Sequence, residues 1–344
     1  MHSKMRSYLT PSLIMMIILL AVPLALEAAE TQENVTYETG FYYTVQKGDT
    51  LWDLSQKFSD TPWQWPEMWQ ENDQIANPHR IYPGERIRLY RRQGQGSSGA
   101  DKDLKDKPEL NKLLHYEYTA IDRVGFIRKE PVLSHGTIFK VEGQKEMIST
   151  GDLIYIRPRS NFSLLPGDKF TLYRTLKPIK DRKTNEFIGI QHYFTGAVEI
   201  MIKRPEFVLG RVIAAYRPIK VGDLLMPYMR RMPRVSINPS PPGLEGSIIE
   251  SEEHQGIFGE SAIAFIDKGR SAGVEPGQLY WIFKQEQYRI NPDDENAVTL
   301  TPVVLGELLV LHTENTTATV MITDSRMAIQ AGARIIAPFE LKTE

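Results

Sequence analysis

Four glycines recur in this chain at one fixed separation of 110 residues: Gly136 with Gly246, Gly167 with Gly277, Gly196 with Gly306, and Gly222 with Gly332. Pro166-Gly167 matches Pro276-Gly277 in the same alignment, Leu153–Ile156 matches Ile263–Ile266, and Phe170–Tyr173 overlays Tyr280–Phe283 in character. Only nine of the 94 aligned positions are identical, but four of them are glycine. Ordinary glycine usage of about 7% gives roughly half a match by chance. The runs Lys169–Tyr173, Val303–Leu311 and Thr316–Ile322 are short and rich in β-branched, aromatic and aliphatic residues, with Gly, Pro, Asn and Asp between such runs. This pattern predicts two all-β modules, small barrels or sandwiches, at 114–231 and 244–344. They read as an internal duplication divided by a Pro-rich connector at 232–243, with coincidence as the alternative.

None of the 344 residues is cysteine. Disulfides, thiolate metal sites, iron–sulfur clusters and cysteine nucleophiles are thereby excluded. The modules must hold together on their apolar cores alone. A formal net charge of −2 leaves no basic footprint for nucleic acid, so no nucleic-acid partner is expected. At the N-terminus, Lys4 and Arg6 precede the apolar run Leu13–Leu26, and Ala28-Ala29 follows. That order is expected of a secretory signal peptide over 1–28. The run is interrupted by Pro23 and falls short of the roughly 20 apolar residues that span a bilayer. The expectation is an exported chain, periplasmic or associated with the cell envelope, with no transmembrane segment after signal removal.

Residues 41–92 read as one unit able to fold independently. Phe41–Val45 is β-rich and Gly48 ends it. Thr50 with Asp53 forms a capping-box pattern, and Leu51, Leu54 and Phe58 share one helical face. A second helix is expected from Pro66 through Trp69. Asn77-Pro78 and Pro83-Gly84 are turn signals, and Arg86–Tyr90 alternates as a closing strand. The order is βααβ. Beyond it, Gly94–Gly99 and the mixed charges of Asp101–Lys107 read as a flexible linker over 93–113.

Within that unit, Tyr43-Thr44-Val45-Gln46-Lys47-Gly48-Asp49-Thr50-Leu51-Trp52-Asp53-Leu54 resembles the opening of a LysM domain, and Ile81-Tyr82-Pro83-Gly84-Glu85-Arg86-Ile87 resembles its close. The middle, Trp63–Trp69 and Ile75–His79, is similar to a Trp-rich bacterial subset of that family. The resemblance implies an α+β domain that binds N-acetylglucosamine-containing glycans, in bacteria usually peptidoglycan. It also implies a groove between two loops. Here those are Gly48, Asp49, Thr50 and Leu51 on one side, and Asn77, Pro78, His79 and Ile81 on the other. A neutral acetamido sugar needs backbone hydrogen-bonding groups and a small apolar surface, and no charge. Trp52, Trp65 and Trp69 read as core first and sugar platforms second.

No familiar catalytic constellation accompanies this unit. The seven histidines form no H-E-x-x-H motif or H-x-H pair, and no G-x-S-x-G elbow is present. Glu250, Glu252 and Glu253 read as a solvated charge run. The expectation is a non-enzymatic peptidoglycan-binding protein without cofactor or metal, whose β modules engage another envelope protein, with homo-oligomerisation left open. The alternatives are a cell-wall hydrolase with carboxylates in the β region, or an envelope assembly scaffold.

Overall fold

The computed structural model of this protein describes residues 38–59, 61–89, 114–290 and 297–338. The expected signal peptide (1–28) and linker (93–113) lie outside the described residues. β1 (Gly40–Thr44) runs into a turn, and α1 (Leu51–Phe58) starts behind it because Thr50 caps it. The Thr50 side-chain oxygen accepts the Asp53 N–H at 3.1 Å and its hydroxyl donates to Asp53 Oδ2 at 2.7 Å. Leu51 and Leu54 are buried, and Phe58 packs on the same core. A 3₁₀ turn over Pro62–Gln64 leads into α2 (Trp65–Gln70), and β2 (Arg86–Arg88) returns antiparallel to β1. Buried Asn72 ties α2 to β2. Its Nδ2 donates to Met68 O at 2.6 Å and to Arg88 O at 3.0 Å, and its Oδ1 accepts the Arg88 N–H at 2.7 Å. The expected βααβ order is present.

The sheet continues past that unit. β3 (Leu114–Glu117) pairs with the other edge of β1, setting Phe41 opposite Tyr116 with ring centroids 4.7 Å apart at 78°. Without β3, that edge of β1 would be a row of unpaired backbone groups. The strand expected to open the first β module is thus part of the N-terminal sheet.

β4 (Phe126–Arg128), β5 (Gly136–Val141), β6 (Leu153–Pro158), β7 (Lys169–Lys180), β8 (Phe187–Lys203), β9 (Val208–Ala215) and β10 (Leu224–Pro227) form one antiparallel sheet. Pairing of β8 with β9 closes six of its strands into a ring, β5-β6-β9-β8-β7-β10, with β4 outside against β8. β11 (Arg234–Ser236), inside the expected Pro-rich connector, returns to pair with β3 as the fourth strand of the N-terminal sheet. β12 (Glu245–Ser251), β13 (Ile263–Ile266) and β14 (Leu279–Lys284) begin a second ring, and the small pair β15 (Gln287–Tyr288) and β16 (Val298–Thr299) branches from it. β17 (Val303–Thr313), β18 (Ala318–Ser325) and β19 (Arg334–Ile336) complete a closed barrel in the order β12-β13-β18-β17-β14-β19.

The two rings have the same strand order. Register shifts recur at the 110-residue separation too: Ile138/Lys140 and Ile248/Glu250, Leu172/Tyr173 and Ile282/Phe283, Ile200/Ile202 and Val310/His312. So do the isolated bridges Ile148–Ile219 and Phe258–Ile329. The paired glycines share physical reasons. A Cβ on Gly196 would lie 2.4 Å from Ala214 O, and one on Gly306 would lie 2.2 Å from Asp324 O. Gly167 and Gly277 both have φ of +90°, where a side chain would be strained.

One apolar core joins the N-terminal unit to the second ring. Eleven of its twenty buried members lie beyond residue 113, including Tyr116, Val235, Leu309 and Met321. The two rings are stitched together through β4. Thr319 and Thr317 hydroxyls donate to Gly125 O at 2.8 Å and Ile127 O at 2.7 Å, and Arg128 forks onto Glu314 at 3.0 and 3.2 Å. Glu252, expected on a solvated face, is only 1% exposed. Its Oε1 accepts the Gly125 N–H at 2.7 Å and its Oε2 accepts from Arg217 at 2.6 Å. That expectation is corrected: a charge this deep persists because it is paired and hydrogen-bonded.

His192 is fully buried in the first ring. Its Nε2 accepts the Val132 N–H at 2.9 Å and its Nδ1 faces Ile190 O at 3.1 Å, an arrangement that suits the neutral ring. Burial pushes its pKa down from 6.5 to about 4. A histidine whose folded pKa is depressed supports the fold above the unfolded value and withdraws that support as pH falls. Unfolding free energy should therefore drop by up to about 3 kcal/mol between pH 7 and pH 4. Urea titrations across that range check it: His192→Gln should flatten the slope, and an unchanged slope would remove His192 as the cause.

Candidate glycan-binding site

Both expected loops spring from the same end of the β1–β2 pair. Val45, just past β1, donates its N–H to Glu85 O at 2.8 Å and accepts the Gly84 N–H at 2.9 Å. The first loop leaves from that clamp and the second arrives at it. Gly48 sits exposed at the tip of the first turn with φ of +98° and open space where a Cβ would be. Asp49 closes the turn, its Oδ2 accepting the Gln46 N–H at 2.8 Å and the Tyr43 hydroxyl at 3.0 Å. Burial, with the Asp49 carboxylate adding to it, pushes the Tyr43 phenol well above its ordinary range. Tyr43 therefore stays protonated and remains a donor to Asp49.

Thr50 is occupied as the helix cap, and the Leu51 side chain is buried in the core. In the second loop, Asn77 Oδ1 accepts the His79 N–H at 3.0 Å, and Asn77 O accepts the Arg80 N–H at 3.0 Å, folding the loop into a turn. Pro78 is half-buried and His79 exposed, its ring 5.9 Å from that of Trp65. Ile81 is half-buried and packs on the core. The side chains of Asp49, Thr50 and Leu51 thus build the first loop. Backbone groups around Gly48, together with Asn77, Pro78, His79 and the free part of Ile81, are what a ligand could meet.

The tryptophans divide differently from the expectation. Trp65 and Trp69 pack against the core, and Trp69 Nε1 donates to Ile75 O at 2.7 Å. Trp52 is 38% exposed, which corrects its reading as core, and Trp63 is 74% exposed. Helical spacing already places Trp52 off the Leu51–Leu54–Phe58 face. Nothing in the sequence distinguishes Trp63 from its neighbours.

Two clefts, of about 420 and 270 Å³, lie among the rings rather than at these loops. The smaller contains Glu252 and Glu253. Burial raises the pKa of Glu252, against the pull of Arg217 and the Gly125 N–H. Arg217 holds both carboxylates, at 2.6 and 2.8 Å, so the pair is a clamp between rings. Among the described residues, no group of three or more His, Asp or Glu side chains is gathered as a metal site, and no helix is long and apolar enough to cross a membrane.

Residues 43–89 match the LysM domain family model. The chain carries a LysM domain, a binding unit for N-acetylglucosamine-containing glycans such as peptidoglycan and not a catalytic one. A segment is also similar to the uncharacterized protein YqbP of Bacillus subtilis (strain 168), 39% identical over 57 residues. That match covers 14% of this chain and 26% of YqbP, so the chain spans about a quarter of that relative's length.

Proposed function

We propose that this is an exported, non-enzymatic peptidoglycan-binding protein. Its LysM domain takes the glycan between the loops at Gly48–Leu51 and Asn77–Ile81. Its two rings, copies of one module, present a surface to another envelope component. The observation that carries the reading is the LysM domain itself, with both loops clamped at one end of β1–β2. The shared strand order and shared register shifts support the duplication. The carboxylates of the inter-ring cleft favour no hydrolase reading, because both oxygens of Glu252 are engaged by the Gly125 N–H and Arg217, and both oxygens of Glu253 by Arg217 and the Tyr193 hydroxyl.

A single small groove buries few ligand atoms and must first offset lost translational freedom. Short N-acetylglucosamine oligomers should therefore bind in the micromolar to millimolar range, about 4–8 kcal/mol. Affinity should change little between 50 and 500 mM salt, because the ligand is neutral. Sedimentation of the full chain with purified sacculi, competed by N-acetylglucosamine oligomers, tests the reading. A zymogram on the same sacculi should show no clearing. Failure to sediment, or a cleared zone, would overturn it.

A further inference from the structure

Trp52 and Trp63 lean on each other edge to face, with ring centroids 4.7 Å apart at 82°. Neither is needed to fill the core, and leaving a ring as large as that of Trp63 three-quarters bare forgoes most of the stabilisation its burial would bring. The turn that carries it is rigid. Pro62 sits at its first position, the Thr61 side chain accepts the Trp63 N–H at 3.3 Å, and Ser55 Oγ donates to Thr61 O at 3.0 Å. This is a presented ring, held at low conformational cost to a binder.

Its position connects the two loops of the proposed groove. Trp52 directly follows Leu51 of the first loop, and it touches Trp63. Trp65, two residues on, lies against His79 of the second loop. Polar residues flank the pair in sequence. Asp53 adjoins Trp52, Gln56 lies one helical turn beyond it on the same face, and exposed Glu67 lies four residues after Trp63. Apolar faces bordered by amides and carboxylates suit a pyranose ring, whose C–H face stacks while its hydroxyls hydrogen-bond. The acidic border disfavours an anionic lipid surface.

We infer that Trp52 and Trp63 form a sugar-stacking subsite that extends the LysM groove and takes a further pyranose ring of a β-1,4-linked glycan. This rests on the glycan-binding reading of the loops. A disaccharide fits the loops alone, whereas a pentamer also covers the tryptophans. In the full chain, Trp63→Ala should weaken the N-acetylglucosamine pentamer about tenfold by calorimetry while leaving the dimer unchanged. Asn77→Ala, in the second loop, should weaken both. The pentamer should also quench tryptophan fluorescence in the native chain, and less so in Trp63→Ala. Equal pentamer affinity in Trp63→Ala and native chain, with Asn77→Ala still impaired, would overturn the subsite and leave the groove standing. No binding of either oligomer by the native chain would overturn both. Sedimentation with phosphatidylglycerol vesicles that Trp63→Ala abolishes, with pentamer binding unaltered, would assign the pair to a membrane and overturn the sugar subsite.

Discussion

A fragment spanning residues 38–89 should not hold the LysM fold on its own, although the sequence reads as a self-sufficient unit there. In the whole chain, β1 is an interior strand, flanked by β2 and β3, and Phe41 packs on Tyr116. Removing everything beyond residue 89 uncovers the face held by Tyr116, Tyr118, Val235, Leu309 and Leu311. Each large apolar side chain returned to water costs about 1.5–3 kcal/mol. Loss of the Tyr116 contact at Phe41, together with the β3 pairing along β1, is large against the small margin of a domain of about 50 residues. Circular dichroism melts should show a broad, low transition for the fragment and a cooperative one for the full chain. Tyr116→Ala in the full chain should lower hydrogen-exchange protection in Leu51–Phe58. A fragment that melts as sharply and as high as the full chain would show that the shared core is dispensable. The same packing fixes how the LysM domain is oriented against the second ring.

What the sequence disclosed and what it hid divide by range. The cap at Thr50, the apolar face of α1 and the turn at Gly48 are set by residues within a few positions of one another, and they stand as expected. The recurring glycines were legible because backbone conformation and close approach leave a residue no choice. Gly196 against Ala214 O and Gly306 against Asp324 O are the same constraint met twice. Pairing of β3 with β1 was not legible, because Leu114–Glu117 carries four residues of pattern and its partner lies about seventy residues upstream. Within the candidate site, the loop positions could be read, but the division of labour could not. Asp49 looks available in a motif and proves to be a turn clasp, whereas Leu51 is the core residue that its helical face announces. The exposure of Trp63 depends on a 3₁₀ turn that no periodicity announces.

Glu252 is where the cost of misreading a charge run is greatest. Its carboxylate joins a backbone N–H of one ring segment 127 residues away to an arginine that also reaches Arg123 O at 2.8 Å, Phe194 O at 2.9 Å and Glu253. Its backbone carbonyl accepts from Gln191 Nε2 at 2.9 Å. Substitution to Ala would leave the Gly125 N–H buried without its acceptor and Arg217 with one carboxylate in place of two. Removing one partner of such a pair costs about 3–5 kcal/mol. Glu252→Ala should therefore lower the melting temperature by several degrees, and the two rings should separate into distinct transitions by calorimetry. Glu252→Gln keeps an acceptor for Gly125 and should lose less. The half-buried Glu250→Ala, in the same charge run, should change less, since its one carboxylate contact is a partly solvated ion pair with His254, and such pairs contribute about 1 kcal/mol or less. Equal stability of Glu252→Ala and Glu250→Ala would return Glu252 to the solvated face that its sequence neighbours suggest.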